Sequence, residues 1–201
     1  MPDARGEDGS SDTRRRLLER GHALVSEVGL QGLTIGGLAG EVGISKAGIY
    51  AHFDSKNDLL RAVLKRAVER FVEEGVEPAL AQPPGEARVR ALFEAWLDWT
   101  EASPVPGGCI FISSAVELDD RPGPLRDYLV NVQRRWASTL AEAAERARSR
   151  GHFRGDLDPE QFVFETYSVI LGFHYYRRLF RDEEAGARAR YAFESLLERS
   201  R

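Results

Sequence analysis

The chain has 201 residues, 42% of them hydrophobic and 30% charged, with a formal net charge of -4. That length suits one large domain, or a small one joined to a larger one, with enough apolar side chains for a core. The acidic balance excludes a protein that coats nucleic acid through its overall field, so any such contact must come from a local patch. One cysteine, Cys109, excludes an internal disulfide framework and fits a reducing compartment.

Residues 1–11 are polar and rich in Gly, Ser and Asp, and are expected to form a disordered tail. They carry no apolar core of a signal peptide, so a cytoplasmic location is expected. From Asp12, a capping residue with Thr13, an apolar stripe of Leu17, Leu18, Ala23, Leu24, Val25 and Val28 predicts a helix that Gly29 stops. Thr34 is a suitable N-cap for a short second helix through Leu38, Ala39 and Val42. Gly43 ends it, and Ser45 caps a third helix expected to reach Phe53.

Asp54 or Ser55 caps a fourth helix, in which Leu59, Leu60, Val63, Leu64, Ala67, Val68 and Phe71 recur at helical spacing to about Val76. The run EPALAQPPGE then breaks the chain and marks a domain boundary. Further helices are predicted over Val89–Ala102, Cys109–Leu118, Pro124–Arg150, Pro159–Arg181 (capped by Asp158) and Glu183–Arg199. No strand alternation and no repeat occurs. The longest largely apolar run, YSVILGFHYY, is far short of the roughly 20 residues that span a bilayer, so no membrane partner is expected. The fold class is therefore all-α, about nine helices, with short helices in front and long ones behind.

The short second and third helices joined by Gly43-Ile44-Ser45 have the form of a helix-turn-helix, Gly43 supplying the positive φ of the turn. Ala39, Val42, Ile44 and Ile49, with Leu24 and Val28, make its expected core. Lys46, Ala47, Tyr50 and Ala51 are left on the outer face, small enough to enter a major groove. Gly48 weakens the helix, which points to close approach by a partner. Lys46 can reach a phosphate or a guanine edge, Tyr50 and His52 can bond phosphate oxygens, and Lys56 at the start of the fourth helix offers a second clamp. The plain alternative is a helical hairpin with a solvated lysine.

The stretch TRRRLLERGHALVSEVGLQGLTIGGLAGEVGISKAGIYAHFDSKNDLL resembles the DNA-binding domain of the tetracycline-repressor (TetR/AcrR) family. The match rests on Thr13-Arg14, Gly29-Leu30, Thr34, Leu38-Ala39, Val42-Gly43-Ile44-Ser45, Gly48-Ile49-Tyr50, His52-Phe53, Lys56 and Leu59. The resemblance implies a bacterial regulator that binds a palindromic operator as a homodimer and is released by a small-molecule effector. By it, Arg14, Thr34, Ser45, Lys46, Gly48, Tyr50, His52 and Lys56 form the DNA-binding set, with Phe53 as a structural anchor. Residues 12–56 become the DNA-binding domain, with a linking helix to about 76, and 84–201 the ligand-binding and dimerisation domain. Gly36 and Gly37 depart from the family habit of a polar or basic helix former there, so affinity is expected to lean on Arg14–Arg16, which otherwise read as a solvated helix start.

The helix over 159–181 is apolar around most of its circumference, which predicts burial on two sides, one of them in a second subunit together with helix 183–199. Trp96, Phe111, Tyr128, Trp136, Tyr167 and His174 are the candidate effector residues, apolar walls with a few polar tips. Aromatic residues at helical spacing, and a lone histidine in an apolar helix, are more often core. Cys109 near a helix start is either a sensing thiol or a buried inert one. Glu117, Asp119 and Asp120 invite a metal-enzyme reading, but no histidine is near and His22, His52, His152 and His174 lack ligand spacing. No metal, cofactor or catalytic set is predicted. A helical interaction protein that has lost strong DNA binding is the remaining alternative.

Overall fold

Nine helices and no strand are found among the described residues of the computed structural model, 4–101 and 107–201, with side chains described from Ser10 on. Residues 1–3 of the predicted tail, the predicted helix end at Ala102 and the Pro104–Pro106 run ahead of Cys109 lie outside them. The helices are α1 (Ala4–Gly32), α2 (Ile35–Val42), α3 (Lys46–Tyr50), α4 (Lys56–Phe71), α5 (Glu86–Glu101), α6 (Ile110–Leu118), α7 (Pro124–Ser149), α8 (Pro159–Tyr175) and α9 (Ala185–Ser200).

α4 runs past the end expected from sequence. α4 continues through a π turn (Val72–Val76) into Glu77–Leu80, so the break begins at Ala81 rather than Glu77. Pro78 stands directly after this π turn, among the first residues of the segment that follows. α8 passes through a π turn (Tyr176–Phe180) and ends, as expected, at Arg181, whose φ of 55° is left-handed. α1 starts upstream of Asp12, which pairs instead with Arg15 at 2.6 Å.

The chain packs as two units. One holds α1, α2, α3, α4 as far as Glu69, α6, and α7 as far as Val130. Its core is Leu17, Leu18, Val25, Leu30, Leu33, Leu38, Ile49, Phe53, Leu59, Leu60, Val63 and Leu64, all buried. Val28, expected in this core, is 54% exposed. The last turn of α1 is covered through Ser26 instead, against which Gly107 packs so closely that a Cβ on it would overlap the Ser26 carbonyl.

The second unit holds the chain from Arg70, with α5, and from Asn131, with the rest of α7, α8 and α9. α9 packs along α8, and the Phe93 and Phe193 rings stack at 3.8 Å. An ion-pair network ties α5 to α9. Arg90 bridges Glu194 (2.6 Å) and Glu86 (2.9 Å), and Arg201 closes on Glu86 at 2.7 Å. Hydrogen bonds from Arg201 and Arg90 outweigh partial burial and hold the Glu86 carboxyl down at about 2.

Candidate nucleic-acid interface and effector region

Three local devices shape the α2–α3 corner. The Thr34 hydroxyl accepts from the Gly37 N–H at 3.0 Å and starts α2. Gly43, at φ 76° and ψ 34°, ends α2 and donates its N–H to the Ala39 carbonyl at 3.0 Å. The Ser45 hydroxyl accepts from the Gly48 N–H at 3.0 Å and starts α3. Each hydroxyl is spent only as an acceptor, so its own proton stays available to a phosphate oxygen.

α3 is shorter than expected, because the chain leaves the helix at Ala51 and closes as a turn in which His52 N–H and Phe53 N–H both bond the Ile49 carbonyl. Ile49 is the buried face of this helix, while Lys46, Ala47 and Ala51 are exposed and Tyr50 is 53% exposed. The outer face is therefore a cation and a phenol separated by methyl groups. The two glycines of α2 have local reasons. A Cβ on Gly36 would stand 3.0 Å from Lys46 Cε, so the missing side chain leaves room for the Lys46 stem. Gly37 supplies the N–H of the Thr34 cap.

Of the arginine run, Arg14 lies over the Phe53 ring, its guanidinium carbon 5.0 Å from the centroid. Arg15 pairs with Asp12 and Glu19, and Arg16 donates to the Val42 carbonyl at 3.0 Å, closing the end of α2. Ser55 rather than Asp54 caps α4, accepting from the Asp58 N–H at 3.1 Å. Lys56 is half-buried, and its ammonium donates to the Gln31 carbonyl at 3.2 Å.

Sequence reasoning missed one polar contact of this unit. Glu117 on α6 reaches α1, its two carboxylate oxygens accepting from the Leu30 N–H (2.8 Å) and the Gln31 N–H (3.0 Å). Gly29 makes room for it, with φ 77° and ψ 171°, a conformation open to glycine. The metal reading of Glu117, Asp119 and Asp120 thus meets a carboxylate already engaged with backbone. Asp119 in turn accepts from the Asp120 N–H at 2.8 Å.

The six candidate effector residues divide between the units. Phe111 on α6 is buried in the first, and Tyr128 there lies under the Arg61 guanidinium at 5.6 Å. Trp96, Trp136, Tyr167 and His174 belong to the second. There Trp96 meets Trp136 at 5.6 Å and Tyr167 at 4.6 Å, both edge to face, and Phe71, absent from the sequence-based set, meets Trp136 at 5.1 Å. Tyr167 donates to the Gln133 carbonyl at 3.3 Å. Trp136 Nε1 and His174 Nε2 are buried polar atoms with no hydrogen-bond partner among the described residues. Burial, with Arg178 adding to it, holds the His174 imidazole below its ordinary value and therefore neutral at pH 7. Cys109 is fully buried at the start of α6.

On the surface of the second unit, α8 and α9 expose Phe164 (67%), Leu171, Tyr175 and Tyr191 (78%), and the π turn after α8 exposes Tyr176, Leu179 and Phe180. No helix among the described residues is long and apolar enough to cross a membrane.

Residues 17–63 match the family described as bacterial regulatory proteins, tetR family, and residues 85–193 match the tetracyclin repressor-like C-terminal domain. The chain is similar to the HTH-type transcriptional repressor DhaR of Mycobacterium sp. (strain GP1), 23% identical over 150 residues that make up 73% of each protein. It is also similar to the crystal structure of a TetR transcriptional regulator from Chloroflexus aurantiacus J-10-FL, with 25% identity, 95% of both chains covered and a TM-score of 0.82. A putative transcriptional regulator from Saccharomonospora viridis in complex with choline matches at 25% identity over 94% of this chain and 96% of that one, with a TM-score of 0.79.

Proposed function

The chain belongs to the tetR family of bacterial regulatory proteins, and on that premise we propose that it is a ligand-released repressor that grips a palindromic operator as a homodimer. The observation that carries this reading is the outer face of α3, where Lys46 and Tyr50 stand exposed beside the small Ala47 and Ala51, while Thr34 and Gly43 fix the two ends of α2 and Ser45 fixes the start of α3. Such a face can lie in a major groove, with Lys46 on a base edge or phosphate and the Thr34, Ser45, Tyr50, His52 and Lys56 groups on the backbone. Gly48 lets the helix approach closely. Arg14, stacked on Phe53, is left a phosphate contact beside it.

The exposed apolar side chains of α8 and α9 support pairing through these helices, since a monomer rarely leaves so many large ones in water. Two-fold pairing would set the recognition helices about 34–36 Å apart, one turn of DNA. For the effector, the rings of Trp96, Trp136 and Tyr167 and the unpartnered Trp136 Nε1 and His174 Nε2 support a partly apolar small molecule carrying hydrogen-bonding groups. The effector acts by preferring the conformation that does not fit the operator. A coupling of roughly 1–3 kcal/mol would lower operator affinity about 5–150-fold. This reading assigns no catalysis to the chain.

Fluorescence anisotropy against the intergenic duplex upstream of the chain's own gene, across a salt series, tests the reading. Binding that falls steeply with salt and weakens on Lys46→Ala is expected. No preference for that duplex over random DNA, with affinity untouched by Lys46→Ala, would refute the role of α3. Alanine at Phe111, Tyr128, Trp136 and His174, read as the loss of effector-driven release, assigns each its share in sensing.

A further inference from the structure

We propose that Glu117 is a positioning residue for DNA binding, holding the Leu30–Gln31 backbone so that the Gln31 carbonyl anchors the Lys56 ammonium where it can meet a phosphate. The proposal rests on the reading of Lys56 as a phosphate contact.

Three bonds make the relay. The Glu117 carboxylate accepts from the Leu30 and Gln31 N–H groups, and the Gln31 carbonyl accepts from Lys56 Nζ at 3.2 Å. Each end needs the middle. The two N–H groups follow Gly29, where the helical path of α1 breaks, and so have lost the partners a continuous helix would give them. A bidentate carboxylate replaces those partners and fixes the peptide planes on either side of Leu30. At the other end, Lys56 is the first residue of α4, where the helix dipole repels a cation. A carbonyl aimed at it offsets that repulsion and uses one of three ammonium protons, leaving two for phosphate oxygens.

The placement of Glu117 is itself specified. Gly29 has a φ that other residues rarely adopt, and a Cβ on it would overlap the Glu117 carboxylate. Gly107, just ahead of α6, lies against the Ser26–Glu27 backbone with no room for a side chain. Two glycines 78 positions apart therefore admit α6 to the end of α1 at a distance where Glu117 can make both bonds.

A thermodynamic cycle tests this. Wild type, Lys56→Ala, Glu117→Gln and the double variant are titrated by fluorescence anisotropy with the upstream intergenic duplex across a salt series. Phosphate contacts carry no sequence information, so a random duplex at low salt reports the same changes. Glu117→Gln keeps the side-chain volume but turns an amide N–H toward a backbone N–H. Lys56→Ala is expected to weaken binding and reduce the slope of log affinity against log salt by about two for the dimer, one phosphate contact being lost from each protomer. Glu117→Gln is expected to weaken binding at least about 3-fold with a smaller slope, and the double variant to bind no more weakly than Lys56→Ala.

Losses that multiply in the double variant would overturn the proposal and leave Lys56 as a phosphate contact. So would a Glu117→Gln protein with wild-type slope, including one whose active fraction alone has fallen. A Lys56→Ala protein with unchanged affinity and slope overturns both readings. If Glu117→Gln does not fold, Glu117→Asp, which keeps the charge but withdraws it by one methylene, goes through the same cycle.

Discussion

Gly29→Ala should be among the most damaging conservative changes in the chain, for two separable reasons. At φ 77° and ψ 171°, any residue but glycine carries backbone strain of about 1–3 kcal/mol. The new methyl would also occupy the space of the Glu117 carboxylate and push it off the Leu30 and Gln31 N–H groups. Hydrogen bonds to a charged group contribute about 1.5–3 kcal/mol each when buried. The Gln31 bond is exposed, so the pair is taken at about 2 kcal/mol. The sum, about 3–5 kcal/mol, is a large part of a typical domain's stability. It corresponds to a fall in Tm of about 10 °C for a chain of this size. Urea and thermal unfolding at one fixed protomer concentration measure it, since pairing would otherwise shift the midpoint. In a Glu117→Ala background the same change should cost only the backbone part. Equal cost in both backgrounds, or less than about 1 kcal/mol in the first, would refute the reasoning.

Ser45→Ala should lower stability by about 1 kcal/mol through loss of the α3 cap and weaken operator binding further than that loss explains, checked by urea unfolding and anisotropy together. Gly36→Ala should raise the helix propensity of α2 yet weaken DNA binding, because the new methyl displaces the Lys46 stem; tighter binding would show that Lys46 does not depend on this groove. His174→Leu removes a buried nitrogen that has no hydrogen-bond partner among the described residues and should raise thermal stability without effector while reducing effector-driven release; a fall in stability would mean the imidazole is satisfied in solution. Glu86 has a carboxyl pKa depressed in the folded state, so its network stabilises fully above about pH 4.5 and loses that contribution as pH falls toward about 2. Glu86→Gln should flatten this acid limb in circular dichroism melts between those pH values.

The helix-turn-helix was legible because its signals are local. Thr34, Gly43 and Ser45 each act within four residues of themselves, and sequence spacing reports such contacts directly. The length of α3 was less legible, since helical bonding to the Ile49 carbonyl continues into a turn with no residue to mark the change. Gly36 looked like a weakness until the Lys46 side chain was seen above it, a contact between helices rather than within one. Glu117 was hardest to read. Its partners lie 86 and 87 positions away, and a carboxylate before two aspartates looks like a solvated helix end. The only local trace was Gly29 itself, whose positive φ signals a helix end but not what stands beside it. The candidate effector residues were named from residue type alone, and their division between units follows from packing that no periodicity encodes.

The α1–α6 contact bears on how this protein could be taken apart and rebuilt. α6 lies inside the span that matches the C-terminal family domain, yet it packs with α1 in the unit that presents α3. A fragment cut in the proline-rich turn after Leu80 would carry the reading head away from α6, exposing the flank of Ser26 and leaving the Leu30 and Gln31 amides bare. Hybrid regulators made by joining one front half to another back half at that turn would inherit a mismatched seam. Exchanging α1–α4 together with α6 and the start of α7 would carry the seam across intact.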